Sequence, residues 1–475
     1  MISLFHFRRA IVAVAFVPAV LHGQQPAVAS RFVGEWIGTL ATPAAKLRLG
    51  LSVARDSSSG GLTGGMTSLD QGNAKIPATL ALHGDTLVVS MPAAQATYTA
   101  IFDAAKDSLR GTFTQGAPLP LDMGRASSPA ARVRPQEPKP PFPYSSREVT
   151  VESVPGVRLA GTILMPAGAG PFPAVVMVTG SGPQNRNEEL LGHKPFLVIT
   201  DYLARHGVAS LRYDDRGVAG STGNFSASTS ADFANDAQAA VAFLRKQPGI
   251  APGHVGIIGH SEGGLIAPIV AARDTNVAFI VLLAGPGLPG DSILLLQAEL
   301  IAKANGAPQA VIDTSLAVNA RLYAAVKGAS DSADAVARVN AVADRMAASL
   351  PVAQQAQART QLQTVKAQVL APWMQYFLKY DPRTALRQVR VPVLALDGSL
   401  DLQVPPKQDL AQIDTALARA GNRDHEVREL PGLNHLFQPA KTGSPNEYAA
   451  IGETFSPTAL QIIADWINAR SRVKR

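Results

Sequence analysis

The segment Gly259-His260-Ser261-Glu262-Gly263-Gly264 constrains this chain more than any other. It follows an apolar run at 255–258, which reads as a buried strand, and it opens a stretch of helical composition. A serine at such a junction sits on a sharp turn. The flanking glycines let helix and strand pack closely, and the serine oxygen is lifted above the strand ends. Greasy strands that alternate with helices belong to a parallel sheet covered on both faces. The short pattern alone can arise by chance among 40 glycines; its strand–turn–helix setting gives it weight.

A serine hydroxyl needs a base to become a nucleophile, and the base needs an acid to orient it. On this type of turn the chain order is serine, then Asp or Glu, then histidine. Two histidines follow Ser261. His425 begins an expected strand, whereas His435 lies in the loop Pro431-Gly432-Leu433-Asn434-His435 beyond that strand's end, where a base can reach a serine. His435 is therefore the candidate base. The expected strand 391–396 runs into Asp397-Gly398-Ser399-Leu400-Asp401. Asp401, farther into the loop, is preferred as the acid; Asp397, at the strand edge, is placed to bond turn amides. An oxyanion needs two N–H donors. One is the amide of Glu262 at the helix N-terminus; the other belongs to Thr179-Gly180-Ser181-Gly182-Pro183, with Ser181 the first choice and Gly182 the second.

Strand and helix signals alternate from residue 147 to the end, so 147–475 is expected to be a mostly parallel α/β domain. An Ala/Gln-rich insertion at about 287–390, broken at Pro308, Gly328, Pro351 and Pro372, reads as a helical lid over the strand ends. Within it Trp373, Tyr376, Phe377 and Tyr380 share one helical face, which either docks the lid on the core or walls a pocket. Residues 31–124 alternate with period two between glycine-rich turns, which suggests a small antiparallel barrel or sandwich. The Pro-rich stretch 125–146 reads as an extended linker. Arg8 and Arg9 before a short apolar run and small residues make 1–23 an expected signal peptide, hence a periplasmic or secreted protein without later membrane spans. Absent cysteine excludes disulfides and thiolate metal sites, and the net charge of +7 is scattered rather than gathered into a nucleic-acid-binding stripe. Asp214, Asp215 and Arg216 read as a structural ion-pair network at a strand end.

The blocks Gly180-Ser181-Gly182-Pro183-Gln184, Gly192-His193-Lys194-Pro195-Phe196 and Arg212-Tyr213-Asp214-Asp215-Arg216-Gly217 occur in order with Gly259–Gly264 and Asn434-His435-Leu436-Phe437. In these blocks residues 147–475 resemble secreted bacterial alpha/beta-hydrolase esterases, more distantly prolyl oligopeptidases. The resemblance implies an alpha/beta-hydrolase sheet and cleavage of a small carboxylic ester by Ser261, Asp401 and His435, with no metal or organic cofactor. One departure is Ala219, where the family's D-x-R-G-x-G-x-S loop carries glycine. Two alternatives stand beside this. One is a prolyl-oligopeptidase-type peptidase or amidase, for which Gly263-Gly264 is equally typical but 31–124 is too short to form a propeller. The other is an inactive envelope-binding protein, against which the full set of candidate residues argues.

Overall fold

The computed structural model describes residues 26–41, 46–55, 61–69, 74–94, 96–115, 117–125 and 134–470. The segment read as a signal peptide lies outside them. The chain divides into two compact units, Met1–Ala131 and Arg132–Arg475.

The first unit opens with helix α1 (Pro26–Phe32) and continues as one antiparallel sheet. Its strands are β1 (Gly34–Ala41), β2 (Lys46–Arg55), β3 (Leu62–Ser68), β4 (Ala74–Pro77), β5 (Thr79–His83), β6 (Thr86–Met91), β7 (Ala96–Asp103), β8 (Ser108–Gln115), β9 (Ala117–Pro120) and β10 (Met123–Arg125). They pair in the order β4-β3-β2-β1-β10-β8-β7-β6-β5, with β9 beside β8. Alternate residues point inward, as period-two patterning requires. Trp36, Leu51, Met66, Leu87, Val89, Tyr98 and Leu109 form the core. The sheet contains a strand that the sequence disguises. Gly64-Gly65 reads as a turn but lies within β3, where a Cβ on Gly64 would sit 1.9 Å from the Ser52 carbonyl oxygen. Glycine serves there for close strand approach rather than for reversal.

The Pro-rich stretch is not spacer throughout. From Arg134 onward it belongs to the second unit. Arg134 donates to the Ile451 and Leu191 carbonyls, Gln136 accepts from the Thr454 and Phe455 amides, and Glu137 pairs with Lys194. Proline removes backbone donors, so side chains between the prolines supply the bonds that fasten this segment.

The second unit carries an eight-stranded sheet. Its strands are β11 (Ser145–Glu152), β12 (Arg158–Met165), β13 (Phe172–Val178), β14 (Ala209–Tyr213), β15 (Ile250–His260), β16 (Ile280–Leu283), β17 (Val393–Gly398) and β18 (His425–Leu430). The order is β11-β12-β14-β13-β15-β16-β17-β18, parallel from β14 to β18. Strand residues alternate between two cores. Ala174, Val176 and Val178 face one side with Ala237, Val241, Leu265, Val270, Ile413 and Leu417. These come from α3 (Ser230–Leu244), α4 (Glu262–Arg273) and α11 (Pro406–Arg419). Val175 and Met177 face the other with Phe196, Leu203, Ile463 and Trp466, from α2 (Pro195–Arg205) and α12 (Pro457–Arg470). Helices on both faces explain why these strands are apolar throughout.

Between β16 and β17 run helices α5 (Gly290–Ala304), α6 (Gln309–Lys327), α7 (Ser332–Ala348), α8 (Val352–Val369), α9 (Pro372–Lys379) and α10 (Arg383–Leu386). Pro308 and Pro351 stand just before α6 and α8, and Pro372 opens α9, where proline's missing N–H costs nothing. Leu322, Val326, Val339, Val369 and Leu378 form a small core of the insertion itself. At its root the buried Asp409 accepts the Gly287 and Leu288 amides through Oδ1, at 2.7 and 2.9 Å, while Oδ2 has no hydrogen-bond partner among the described residues.

Burial pushes the Asp409 carboxyl up to about 7 from an ordinary value of 3.8. The native state therefore holds a proton that the unfolded chain releases at lower pH. This contribution is fully present below about pH 4 and is lost as pH rises through about 7. Asp409→Asn, which stays neutral and keeps the accepting oxygen, should remove up to roughly 4 kcal/mol of that slope. Thermal midpoints from pH 4 to pH 8 check this: the variant's curve is expected to be flatter than that of the natural chain.

Candidate active site

The carboxyl ends of β13, β15, β17 and β18 bring the sequence-selected residues to one place. Ser261 follows β15 with φ 52° and ψ −116°, a left-handed conformation that only a tight surround maintains. Gly259 and Gly263 form that surround. A Cβ on the first would lie 2.0 Å from the Gly263 carbonyl oxygen, and one on the second 2.1 Å from that of Val178. The Ser261 amide donates to the Leu283 carbonyl at 2.8 Å, tying the turn to β16.

Asp401 and His435 meet. Asp401 Oδ2 accepts from His435 Nδ1 at 2.6 Å, and Asp401 Oδ1 accepts the Gln403 and Val404 amides at 2.7 and 2.9 Å. The carboxylate fixes the proton on Nδ1 and leaves Nε2 as the free face of the ring. Asn434, which the sequence does not single out, shapes the base loop: its Oδ1 accepts the Leu436 and Gln438 amides, both at 3.0 Å. His435 and Ser261 line one opening of about 90 Å³ with Ser181, Gln184, Leu190 and Gln403. Among the described residues no hydrogen bond joins Ser261 Oγ to His435. Such contacts commonly tighten only around substrate.

The competing residues go elsewhere. His425 Nδ1 bonds the Asn422 carbonyl and Nε2 pairs with Asp414. Asp397 Oδ1 accepts its own turn amide at Gly398, 2.7 Å away. Burial, reinforced by the neighbouring Asp401, pushes the Asp397 carboxyl well above the usual carboxylate range. The Glu262 amide is the first of α4 and so has no acceptor within the helix. Ser181 borders Ser261 in two adjoining spaces. Gly182 does not: with φ 96° the chain turns away, and it lines a neighbouring space beside Tyr213, Asp215, Phe225 and Phe233.

A second space beside Ser261, about 60 Å³, is walled by Ile293, Leu294, Trp373 and Phe377 of the insertion, with Glu262 and Gln297 at its polar edge. Trp373 stacks on Phe377 with ring centres 5.0 Å apart, and its Nε1 donates to Glu262 Oε1 at 2.7 Å. Ser230 Oγ donates to the same oxygen at 2.6 Å. Burial pushes the Glu262 carboxyl up to about 7 despite both bonds. The aromatic face noted in the sequence thus both docks a helix and walls a pocket. Asp214 pairs with Arg186 at 2.8 Å and Arg216 with Asp236 at 2.6 Å, but Asp215, expected in the same network, pairs with no cation among the described residues and accepts instead from Thr179 Oγ1 and the Gln184 amide. Among the described residues no group of three or more His, Asp or Glu side chains is arranged to hold a metal ion.

A mostly parallel sheet in this order, a serine on a strained strand-to-helix turn, and an acid and a histidine two and three strands away define an α/β-hydrolase. The chain belongs to the X-Pro dipeptidyl-peptidase (S15) family, whose model matches residues 155–422, and it is a hydrolase. It is 30% identical over 154 residues to esterase EstD of Thermotoga maritima, across 32% of this chain and 35% of that one. The matched region thus spans about a third of the length of that curated relative. Similar solved structures include the α/β hydrolase GrgF of Penicillium sp. sh18 (15% identity, TM-score 0.43, 69% of this chain and 100% of that chain). Another is the Pyrococcus furiosus esterase Pf2001 (14% identity, TM-score 0.41, 69% of this chain and 91% of that chain).

Because burial and the neighbouring Asp401 favour the protonated form of Asp397, Asp397→Asn should exchange it for an uncharged group of the same shape. Its thermal midpoint at pH 7 should stay within the effect of a single lost hydrogen bond, ~0.5–1.5 kcal/mol. Calorimetry of the variant measures this, and a much larger loss would mean that the native group is ionised.

Proposed function

We propose that the chain is a serine hydrolase that cleaves carboxylic esters through an acyl-enzyme on Ser261. The observation that carries the reading is the 2.6 Å Asp401–His435 bond beside the strained Ser261 turn, with Ser261 and His435 opening on one cavity. In this reading His435 Nε2 takes the Ser261 Oγ proton as the oxygen attacks the ester carbonyl carbon. The resulting oxyanion faces the Glu262 and Ser181 amides. His435 then returns the proton to the departing alcohol oxygen. Water repeats the sequence, releasing the acid and restoring Ser261.

The apolar wall of Ile293, Leu294, Trp373 and Phe377 supports a compact acyl group, with the helical insertion acting as a lid over it. The alcohol would leave through the opening beside Gln184, Leu190 and Gln403. Export from the cytoplasm belongs to the same proposal and rests on the amino-terminal sequence. Family membership favours a second reading, cleavage of an amide after proline in a short peptide.

Nitrophenyl esters of graded acyl length and X-Pro anilides, assayed side by side, separate the two. Ester turnover is expected to dominate; faster release from an X-Pro anilide would make the chain a peptidase instead. Ser261→Ala and His435→Ala should each abolish nearly all turnover, and the double variant should be little worse, since such groups act as a unit. Asp401→Asn, which favours the wrong imidazole tautomer, should cost up to ~10⁴ in turnover. Substantial activity in folded Ser261→Ala would end the assignment.

A further inference from the structure

Directly behind the serine lies a second acid–histidine pair, which the reaction as described does not use. His260 Nδ1 faces Glu188 Oε1 at 2.9 Å, and His260 Nε2 faces the carbonyl oxygen of His435 at 2.9 Å. The same Glu188 oxygen accepts the Gly180 amide at 2.7 Å. A Cβ on Gly180 would lie 3.2 Å from Ser261 Cβ, 3.3 Å from Glu188 Oε1 and 3.5 Å from His260 Nδ1, so all four residues crowd one point. Glu188 is itself held in a left-handed conformation, φ 52°, and both side chains are buried.

The hydrogen-bond partners constrain the state of the pair. A carbonyl oxygen can only accept, so His260 Nε2 carries a proton. On the other side one proton lies between Nδ1 and the Glu188 oxygen, and because that oxygen also accepts the Gly180 amide we place the proton on Nδ1. A ring that donates from both nitrogens is an imidazolium, and Glu188 is its counter-ion.

We propose that Glu188 and His260 form a buried positioning clamp, an ion pair that ties the amide loop at Gly180 and the base loop at His435 to the serine turn. The clamp holds the Ser181 amide and the His435 ring toward Ser261. Neither clamp residue touches the reacting atoms; both act through backbone groups of residues that do. The inference rests on the serine-hydrolase reading above.

The charged surroundings are few. Glu188 faces His260 from the loop after β13, the His435 ring lies 4.8 Å away from the loop after β18, and Asp401 acts from the loop after β17. Beyond the pair, Asp215 feels the charges of both Glu188 and Glu262. Glu188 and His260 also border the opening shared by Ser261, His435, Gln184 and Gln403, and on the other side the walls are apolar: Phe196, Ile199, Leu283, Leu436 and Phe455. Burial among them would lower the His260 pKa, but the Glu188 carboxylate and the His435 carbonyl outweigh it and push the ring above the usual histidine range. When the ring finally loses a proton, two lone pairs face each other at Nδ1 and the clamp opens.

Two measurements on the full chain test this. In the natural protein with 15N-histidine, one of the nine histidines should give an imidazolium signal that persists above neutral pH and is absent from His260→Gln. This readout is independent of the bond cleaved. A neutral His260 signal at pH 7 would overturn the clamp without any variant having to fold. In Glu188→Gln the amide oxygen still accepts, but the counter-charge is gone. We expect kcat to fall about 10- to 100-fold with KM nearly unchanged, and its alkaline limb to move toward acid by at least about one pH unit. Glu188→Asp should recover part of kcat. A wild-type pH profile in folded Glu188→Gln, alongside inactive Ser261→Ala, would sink the clamp and leave the reaction standing. An active Ser261→Ala would sink the reaction instead.

Discussion

The backbone of Ser261, held at φ 52° and ψ −116° where β15 becomes α4, is the constraint on which the rest of the second unit depends. An L-residue occupies that region only when its neighbours leave no alternative. Here the neighbours are backbone on every side: Gly263 against Val178, Gly259 against Gly263, and the Ser261 amide on Leu283. Any relaxation of the turn would push β13, β15 and β16 apart, and these central strands are buried on both faces. Sheet burial thus holds the strain in place, and the serine stays at the opening shared with His435.

Around that turn the molecule gathers buried carboxyl groups and gives each a different environment. Asp401 accepts from an imidazole and two amides. Asp397 accepts the Gly398 amide and faces Asp401. Asp409 accepts two amides through Oδ1 while its Oδ2 has no partner among the described residues, and burial drives both acids toward their neutral forms. Burial also pushes Asp215 up to about 8, while Thr179 and the Gln184 amide bond its two oxygens. Like charges packed this closely disfavour full ionisation, and burial that shifts several of these acids toward their protonated forms eases the repulsion around the Asp401 carboxylate opposite histidine.

Local signals made much of this readable from the sequence. Apolar runs, glycine pairs and prolines mark the strands, the serine turn and the helix starts of the insertion, because each acts within a few residues. Ala219 is a smaller instance: the position where related sequences place glycine has φ 46° here, and alanine bears the strain. Long-range partners were not readable. Glu188 and His260 are 72 residues apart, and His260 and the His435 carbonyl are 175 apart. Each looks like an ordinary loop or motif residue until the sheet brings them together. Gly64-Gly65 failed in the opposite way: a turn-like pair proved to be a point of strand contact. The segment after Arg134 was not readable because its anchoring is by side chains onto residues from 57 to more than 300 positions away.

The central claim is that Ser261 is the nucleophile that the strained turn presents to His435. Its most direct measurement is covalent: the intact protein is treated with a fluorophosphonate, digested, and the adduct located by mass spectrometry. The account predicts a single modified peptide carrying the adduct on Ser261, formed far more slowly in His435→Ala. An adduct on a different serine, or full hydrolytic activity in protein that takes up no label, would contradict it.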